Sequence, residues 1–517
     1  MAGDNHRRSL DHKSVKLKEA VSIISLGILI AFAPKSALAE GISFTGSVQH
    51  ALSFNMANPV ETAEDDRYDL SMSRTTFRLD AEAKTEHFTF VTKARVVQEQ
   101  NTPYLKRLQA LGANSFEQES LVDKYSESTL REAYLETDLG ERTTLRLGKQ
   151  QVAWGETDFF QALDLVHGFD YTWRSFLEPA NEDLRKPVFL ANFNIQVPEA
   201  DGALQVILRP GWDRDDSIGN TYDIFGGRWA NQPYKGFDFR NLTPYNYDHP
   251  EGSSDDFTGG FRWTGLLNDV NYSLVYLKTF NPDPVISPAN LGPGSNMTPF
   301  QTATTKGVLG EVIYPKIDVF GATLSAYAES VDAVFSTEVA LLKDYAYNFG
   351  YTNAVGLPGF NGVVQKDVVR TMVRMDKTLP IMQEWFGAEK PSFFSVQVFD
   401  NWIQDFDESE NIVNLVGQGQ ARKEHSTLAT GILSMSYMNG RIVPEFVVGT
   451  DLSYGGGFFV PSVTWTPSTS WKFKAELDLF WNSGSREPSN AATERNSALF
   501  GYFDNNDQLY VSATYQF

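Results

Sequence analysis

Residues 471–481 read Trp-Lys-Phe-Lys-Ala-Glu-Leu-Asp-Leu-Phe-Trp. In an extended chain successive side chains point to opposite faces. Trp471, Phe473, Ala475, Leu477 and Leu479 therefore share one face, and Lys472, Lys474, Glu476 and Asp478 share the other. Such a strand needs a greasy environment on one side and water on the other. The same alternation recurs in residues 42–54, 74–84, 88–96 and 508–517. At the last of these, Leu509, Val511, Ala513, Tyr515 and Phe517 stand against Gln508, Tyr510, Ser512, Thr514 and Gln516.

A soluble sandwich also alternates, so two further features separate it from a membrane barrel. The apolar faces often end in aromatics: Phe88, Trp263, Tyr276, Trp465, Trp471, Trp481 and Tyr515. Aromatic girdles mark both interfaces of an outer-membrane barrel. The connections also alternate in length. Short turns are expected near residues 85–87, 139–142, 199–202, 266–269, 315–316, 439–440 and 467–470, with a longer one over 380–391. Long polar loops are expected near 57–72, 98–129, 151–186, 211–255, 281–304, 331–363, 405–424 and 482–507. At Tyr454–Gly457 a long loop is due and a tight glycine turn stands in its place. The reading is all-β: a transmembrane antiparallel up-and-down barrel of about 18 strands, with 16 as the alternative.

Composition agrees. The 517 residues include no Cys, which excludes disulfides and thiolate metal sites. The formal net charge of −21 argues against nucleic-acid binding, which needs a basic surface. Mean hydropathy is −0.31, with no apolar run long enough for a helical membrane protein. Residues 1–39 carry a basic head, an apolar stretch from Ala20 to Pro34 and Ala37-Leu38-Ala39, the pattern of a secretory signal cleaved after Ala39. The barrel is then residues 40–517.

Strand parity sorts the charges. Arg74, Arg78, Lys93, Arg95, Arg146, Arg209, Arg262, Arg370, Arg374, Lys472 and Lys474 are expected to face the lumen. Glu132, Glu136, Glu445, Glu476 and Asp478 are among the acids that join them. A charged lining sets selectivity, but cross-strand pairing could also consume these charges in bracing the wall. The acidic excess falls mostly in loops, at Glu61–Asp69, Asp213–Asp216, Asp405–Glu410 and Asp504–Asp507. Such carboxylates can share divalent cations with lipopolysaccharide phosphates, although a solvated surface is the simpler reading.

The most distinctive stretch is Leu130-Arg131-Glu132-Ala133-Tyr134-Leu135, then Leu145-Arg146-Leu147-Gly148-Lys149-Gln150, then Trp154-Gly155-Glu156 and Leu163-Asp164. It resembles a family of Gram-negative outer-membrane barrels catalogued as a domain of unknown function, whose hallmark is Leu-Arg-x-Gly-x-Gln followed by Trp-Gly-Glu and a Leu-Asp step. The family pattern continues with an Asn-Pro-Leu-Asp-like turn, whereas this chain has Val166-His167-Gly168-Phe169-Asp170. The resemblance implies a channel or transporter of the outer membrane. At the level of size and strand count the chain also looks like alginate-export barrels. Tyr515 and Phe517 close the last strand in the manner of the signal read by the barrel assembly machinery.

The loop after Gln150 is about 36 residues long, well beyond a usual connection. Folded inward, it is expected to set Glu156, Asp158 and Asp164 opposite the arginine rows. Lys149, Gln150 and Trp154 would form its root, and Glu156 pairing with Arg146 or Lys149 would make it a latch. The functional reading is a non-enzymatic, cofactor-free channel for small or polar solutes, embedded in outer-membrane lipid. Two other classes compete with it. A transporter of hydrophobic substrates would use the aromatic stretch 331–363, with Phe335, Tyr345, Tyr347, Phe349, Tyr351 and Phe360. An enzyme would need a base among His50, His87, His167, His249 and His425, where Asp248-His249 is the candidate pair. A role in envelope biogenesis is the remaining alternative.

Overall fold

The chain is described as a computed structural model covering residues 41–517 apart from 58–64, 113–119, 158–159, 173, 175–176, 179–180, 212–218, 223–225, 230–256, 289–309, 351–358, 415–419, 484–499 and 505. The signal-like segment, Asp158, Asp213–Asp216 and the Asp248-His249 pair lie outside the described residues.

The strands, in chain order, are β1 (Ile42–Asn55), β2 (Leu70–Lys84), β3 (Phe88–Glu99), β4 (Glu127–Asp138), β5 (Thr143–Gln150), β6 (Val188–Val197), β7 (Gly202–Arg209), β8 (Thr258–Leu267) and β9 (Val270–Phe280). A loop hairpin, β10 (Val285–Pro288) and β11 (Gly310–Ile313), precedes β12 (Lys316–Ala328), β13 (Ala333–Phe349), β14 (Gly362–Leu379) and β15 (Ser392–Ile403). Two rim strands, β16 (Ile412–Asn414) and β17 (Gln420–Ala421), lead to β18 (His425–Ser434), β19 (Ile442–Asp451), β20 (Gly457–Trp465), β21 (Trp471–Trp481) and β22 (Gln508–Gln516). Without the hairpin and the rim pair, 18 strands form one closed antiparallel barrel. Closure runs through β1 and β22, in register from Ser47↔Gln516 to Asn55↔Gln508.

One end carries the short turns, and the other carries the long loops. Parity is as the sequence dictates: Leu135, Leu147, Phe261, Leu274, Phe320, Val373 and Phe459 stand exposed on the outside. Phe88, Trp465, Trp471 and Tyr515 are exposed toward the short-turn end, and Trp402 and Trp481 toward the long-loop end. The tight turn between β19 and β20 is real. The Asp451 carboxylate accepts from the Ser453 and Tyr454 amides, and Gly455 and Gly456 take φ of +81° and +93°.

One part of the expected layout is corrected. No short turn lies at residues 315–316; that point closes the long loop 281–315, and the turn is at 329–332. The stretch expected as the aromatic loop 331–363 is mostly β13, so Phe335, Tyr345, Tyr347 and Phe349 are strand residues. Its alternation is hidden because the upper inner face is itself apolar, with Ala340 and Leu342 fully buried. A bulge between Leu342 and Tyr345, where Asp344 sits at φ +61°, then shifts the phase. The strand count survives because a strand expected before Pro315 is replaced by one after Asp332.

The closing seam depends on one glycine. Gly46 and Phe517 exchange two backbone hydrogen bonds of 3.0 Å. A Cβ on Gly46 would meet the Phe517 ring at 2.5 Å. That ring stacks on Phe77 and Tyr515, both at 6.4 Å. Gly46→Val should therefore push the terminal ring off the seam and cost about 1–3 kcal/mol. The check is the temperature at which the folded band converts to the unfolded one in SDS gel electrophoresis, which should fall; an unchanged temperature would mean Phe517 adds nothing to closure.

Candidate functional site: a lumen divided by one loop

The loop 151–187 turns into the barrel and splits its interior into two unlike halves. Its root is built on β5–β7. Trp154 is fully buried, and its indole N–H donates to Gln205 at 2.7 Å. Gln205 donates to Asn192 at 3.0 Å, and Asn192 to Gln150 at 3.3 Å. Gln150 in turn donates to the Leu190 carbonyl at 3.0 Å. These amides all lie on inward positions of neighbouring strands, so the wall reads the loop through a continuous polar row.

The far side of the loop is anchored across the lumen. Glu338 on β13 accepts from the backbone N–H groups of Glu156 and of Leu163, the latter at 3.2 Å. Arg374 on β14 donates to the Glu156 carbonyl at 3.1 Å, and Arg370 reaches the Gln161 carbonyl at 3.5 Å. Between these anchors Trp154, Leu163, Leu165 and Val166 pack with Ile207, Leu277, Val319, Leu342, Val368 and Ile403 from the wall. Gly321 makes room for this, since a Cβ there would meet Leu163 at 2.2 Å. This half of the lumen is a dry core. It explains the apolar inner faces of β12–β15, which a water-filled pore would not require.

The loop is stapled shut at its two ends by His167. Its Nε2 accepts from the Val152 N–H at 2.8 Å, and its Nδ1 donates to the Lys186 carbonyl at 2.9 Å. Burial pushes the imidazole down to about 3, and the neighbouring Arg185 guanidinium adds to this. The ring is thus a neutral crosslink. Arg185 also pairs with Asp164 and donates to Gln151 at 3.2 Å.

A second apolar cluster, with Leu177, Trp229, Phe500 and Phe503, covers the inner faces of β19–β21. A cavity of about 250 Å³ lies between the loop and the wall of β1–β3, β21 and β22. Seven cationic side chains line it against four carboxylates. Of the expected lumen residues, Arg74, Arg78, Arg95, Lys472 and Lys474 line this cavity. Arg74 is bound to Glu99 at 2.9 Å, and Glu99 also holds Arg228 from the loop 210–257. Lys474 pairs with Glu476, which together with Asp478 also binds the loop's Arg174. Lys472 is exposed and has no carboxylate within 4.0 Å among the described residues.

The remaining expected residues serve elsewhere. Lys93 bridges Glu132 and Glu182 at 3.0 and 3.2 Å. Arg146 pairs with Glu136 at 2.6 Å, and Arg209 lies over Phe280. Arg262 reaches the Ala153 carbonyl. Lys149 shares the parity of the exposed Leu147, not that of Arg146 and Gln150, so it is no lumen residue. Of the acids expected to oppose the arginine rows, Asp164 is buried against Arg185 and Glu156 is exposed beside Arg374, and the acids of the loop that line the cavity are Asp170, Glu178 and Asp183.

Arg131 was visible only as part of a motif. It is the extra residue of a bulge in β4, since Lys93 pairs with Glu132 and Ala94 with Leu130. Its guanidinium takes the carbonyls of Glu182 and Arg185 at 2.7 and 2.6 Å. Of the histidines expected as bases, His425 pairs with Asp400 at 2.8 Å and stacks on Trp402. Among the described residues no group of three or more His, Asp or Glu side chains comes together as a metal site. Asp66 and Asp69 of the acidic loops instead pair with Arg107, and Glu410 with Lys366.

A closed antiparallel barrel whose lumen is narrowed by an inserted loop defines a channel-like class. The chain belongs to the family described as "Protein of unknown function (DUF1302)", whose profile matches residues 33–517. No curated protein matches the sequence. Among solved structures, OccK9 (OpdG) of Pseudomonas aeruginosa is 7% identical, with a TM-score of 0.46 over 92% of this chain and 98% of its own. The outer membrane protein opdK of the same organism is 8% identical, with a TM-score of 0.45 over 93% of this chain and 100% of its own. OccAB3 of Acinetobacter baumannii is 8% identical, with a TM-score of 0.43 over 92% of this chain and 99% of its own.

The His167 staple carries a pH dependence with a definite sign. Undocked, the ring takes up a proton near its ordinary value of about 6.5. Docked, it does so only near 3. Docking is at full strength above pH 6.5 and weakens as the pH falls from there toward 3, by roughly 2 kcal/mol at pH 5. Hydrogen exchange of the Val152 amide should therefore speed up on acidification, beyond the intrinsic change in exchange chemistry. In His167→Gln that extra acceleration should vanish; its persistence would assign the effect to another group.

Proposed function

We propose that this barrel is an outer-membrane channel for small polar solutes, and that the cavity beside loop 151–187 is its eyelet. The observation that supports this is the division of the lumen. Dry clusters fill the β12–β15 side and cover the inner faces of β19–β21, so water and solute have the polar cavity left to them. A cavity of this size, about 250 Å³, corresponds to roughly eight waters. Its walls carry opposed charges, a cationic wall against loop carboxylates, which orients a dipolar or charged solute. The outer ring of Leu, Val and Phe faces acyl chains, since a closed barrel leaves no backbone group unpaired in hydrocarbon. The short turns then lie on the periplasmic side, and the long loops meet lipopolysaccharide. Phe517 at the seam suits recognition by the assembly machinery.

The reading for hydrophobic substrates has lost its main support. Four of the six aromatics assigned to a capture loop, Phe335, Tyr345, Tyr347 and Phe349, belong to β13, Tyr351 lies outside the described residues, and the apolar inner wall is occupied by the loop's own Trp154 and Leu163.

Lys472 is the side chain to test, because it lines the eyelet unpaired. In planar bilayers Lys472→Glu should lower the anion-to-cation permeability ratio severalfold with little change in conductance. Arg370→Glu should behave differently, since Arg370 holds the loop's backbone: conductance and current noise should rise while selectivity moves less. Equal selectivity shifts in both variants would show that the eyelet is placed wrongly. Absence of any conductance would remove the channel reading itself.

A further inference from the structure

Arg78 and Arg95 stand directly opposite each other on β2 and β3, in register. Like charges in that relation repel, so a sheet tolerates them only with an anion between them. Here the anion comes from the chain itself. Asp183, in the short helix Asn181–Leu184, places one carboxylate oxygen 2.8 Å from Arg78 and the other 3.9 Å from Arg95. Arg95 also donates to the Asp183 carbonyl at 2.9 Å, and its own ion pair is with Glu127 of β4 at 2.5 Å. Arg131 holds the carbonyls on either side, and Lys93 holds Glu182. The segment 182–185 is therefore a tethered anion seated in a cationic cradle.

Two facts make this more than a strut. The cradle opens onto the eyelet, since Arg78, Arg95 and Asp183 all line its cavity. The Arg78–Asp183 pair is also reachable by water, its side chains 35% and 25% exposed, while Arg95 behind it is 11% exposed. An exposed pair is worth little on its own, and a competing anion exchanges with it readily.

We infer that Arg78 and Arg95 form a binding site for a small carboxylate solute, and that Asp183 is its built-in occupant, displaced when such a solute passes. This rests on the channel reading and names its substrate class. The carboxylate is chosen because the site already holds one, bound by Arg78 at 2.8 Å with Arg95 at 3.9 Å.

The experiment uses the full barrel in detergent and in planar bilayers, with sodium succinate as the probe. Asp183→Asn leaves Arg78 without its anion, while Arg95 keeps Glu127. Succinate should then bind at least tenfold tighter than to the unaltered protein by calorimetry, and block current at correspondingly lower concentration. Adding Arg78→Gln to that variant should abolish the gain. Equal or weaker succinate binding by Asp183→Asn, in a barrel that still runs as a folded band, would overturn the inference and leave Asp183 as a strut. Asp183→Ser provides the same comparison if the asparagine variant does not assemble. Inorganic phosphate binding more tightly than succinate would overturn the choice of carboxylate. If no variant conducts yet calorimetry shows the tenfold gain, the anion site stands and the channel reading fails. If conductance is robust and the gain is absent, the channel stands and the site fails.

Discussion

Hydrocarbon offers a backbone amide nothing to bond to, and each unpaired group there costs several kcal/mol. This single condition shapes the whole molecule. It forces the 18 strands into a ring and ties β1 to β22. It commits every strand residue to one of two faces, so greasy and polar residues must alternate. It also exports irregular chain to the ends and the inside. A loop of some 37 residues cannot lie in the wall, but it can lie in the lumen, where polar side chains satisfy its backbone. Glu338, Arg370, Arg374 and Arg131 do this for loop 151–187, each meeting a peptide N–H or C=O.

The condition also explains which charges the wall can spare. An inward charge is useful to a permeating solute only if no neighbour has claimed it. Most of the arginines on the inner face are claimed, several of them by the loop: Arg78 by Asp183, and Arg262, Arg370 and Arg374 by the carbonyls of Ala153, Gln161 and Glu156. In the proposed channel, bracing and selectivity would fall to different residues, divided by their position relative to the loop. Lys472 lies beyond the loop's reach, whereas Arg370 lies beneath it.

Much of the barrel was legible in the sequence because period-two alternation follows from having lipid on one side and polar chain on the other. It holds along β1–β3, β21 and β22, which border the cavity. It fails along β13, where Ala340 and Leu342 face inward against Trp154, Leu163 and their neighbours. A strand apolar on both faces looks like no strand, and its neighbouring turn was displaced accordingly. The failure carries information: it marks where the lumen is filled. Lys149 shows a second limit. It sits in the motif beside Arg146 and Gln150, yet alternation alone sends it to the other face. Proximity in sequence had outweighed parity.

The acids of the eyelet were hidden for a different reason. Glu156 and Asp164 lie next to the motif, but a loop's path is set by its anchors. Glu338 lies 182 residues from Glu156 in sequence, and no local pattern connects them. Once the anchors place Trp154, Leu163, Leu165 and Val166 in the dry core, the chain must return past β2–β4 to reach β6, and this return brings Asp170, Glu178 and Asp183 to the basic wall. Arg131 completes the path, because the bulge in β4 turns inward a side chain that simple alternation would have sent to lipid. The one signal available beforehand was electrostatic. Arg78 and Arg95, once strand register is assigned, fall directly opposite each other, and a wall that opposes two arginines demands a carboxylate from somewhere else in the chain.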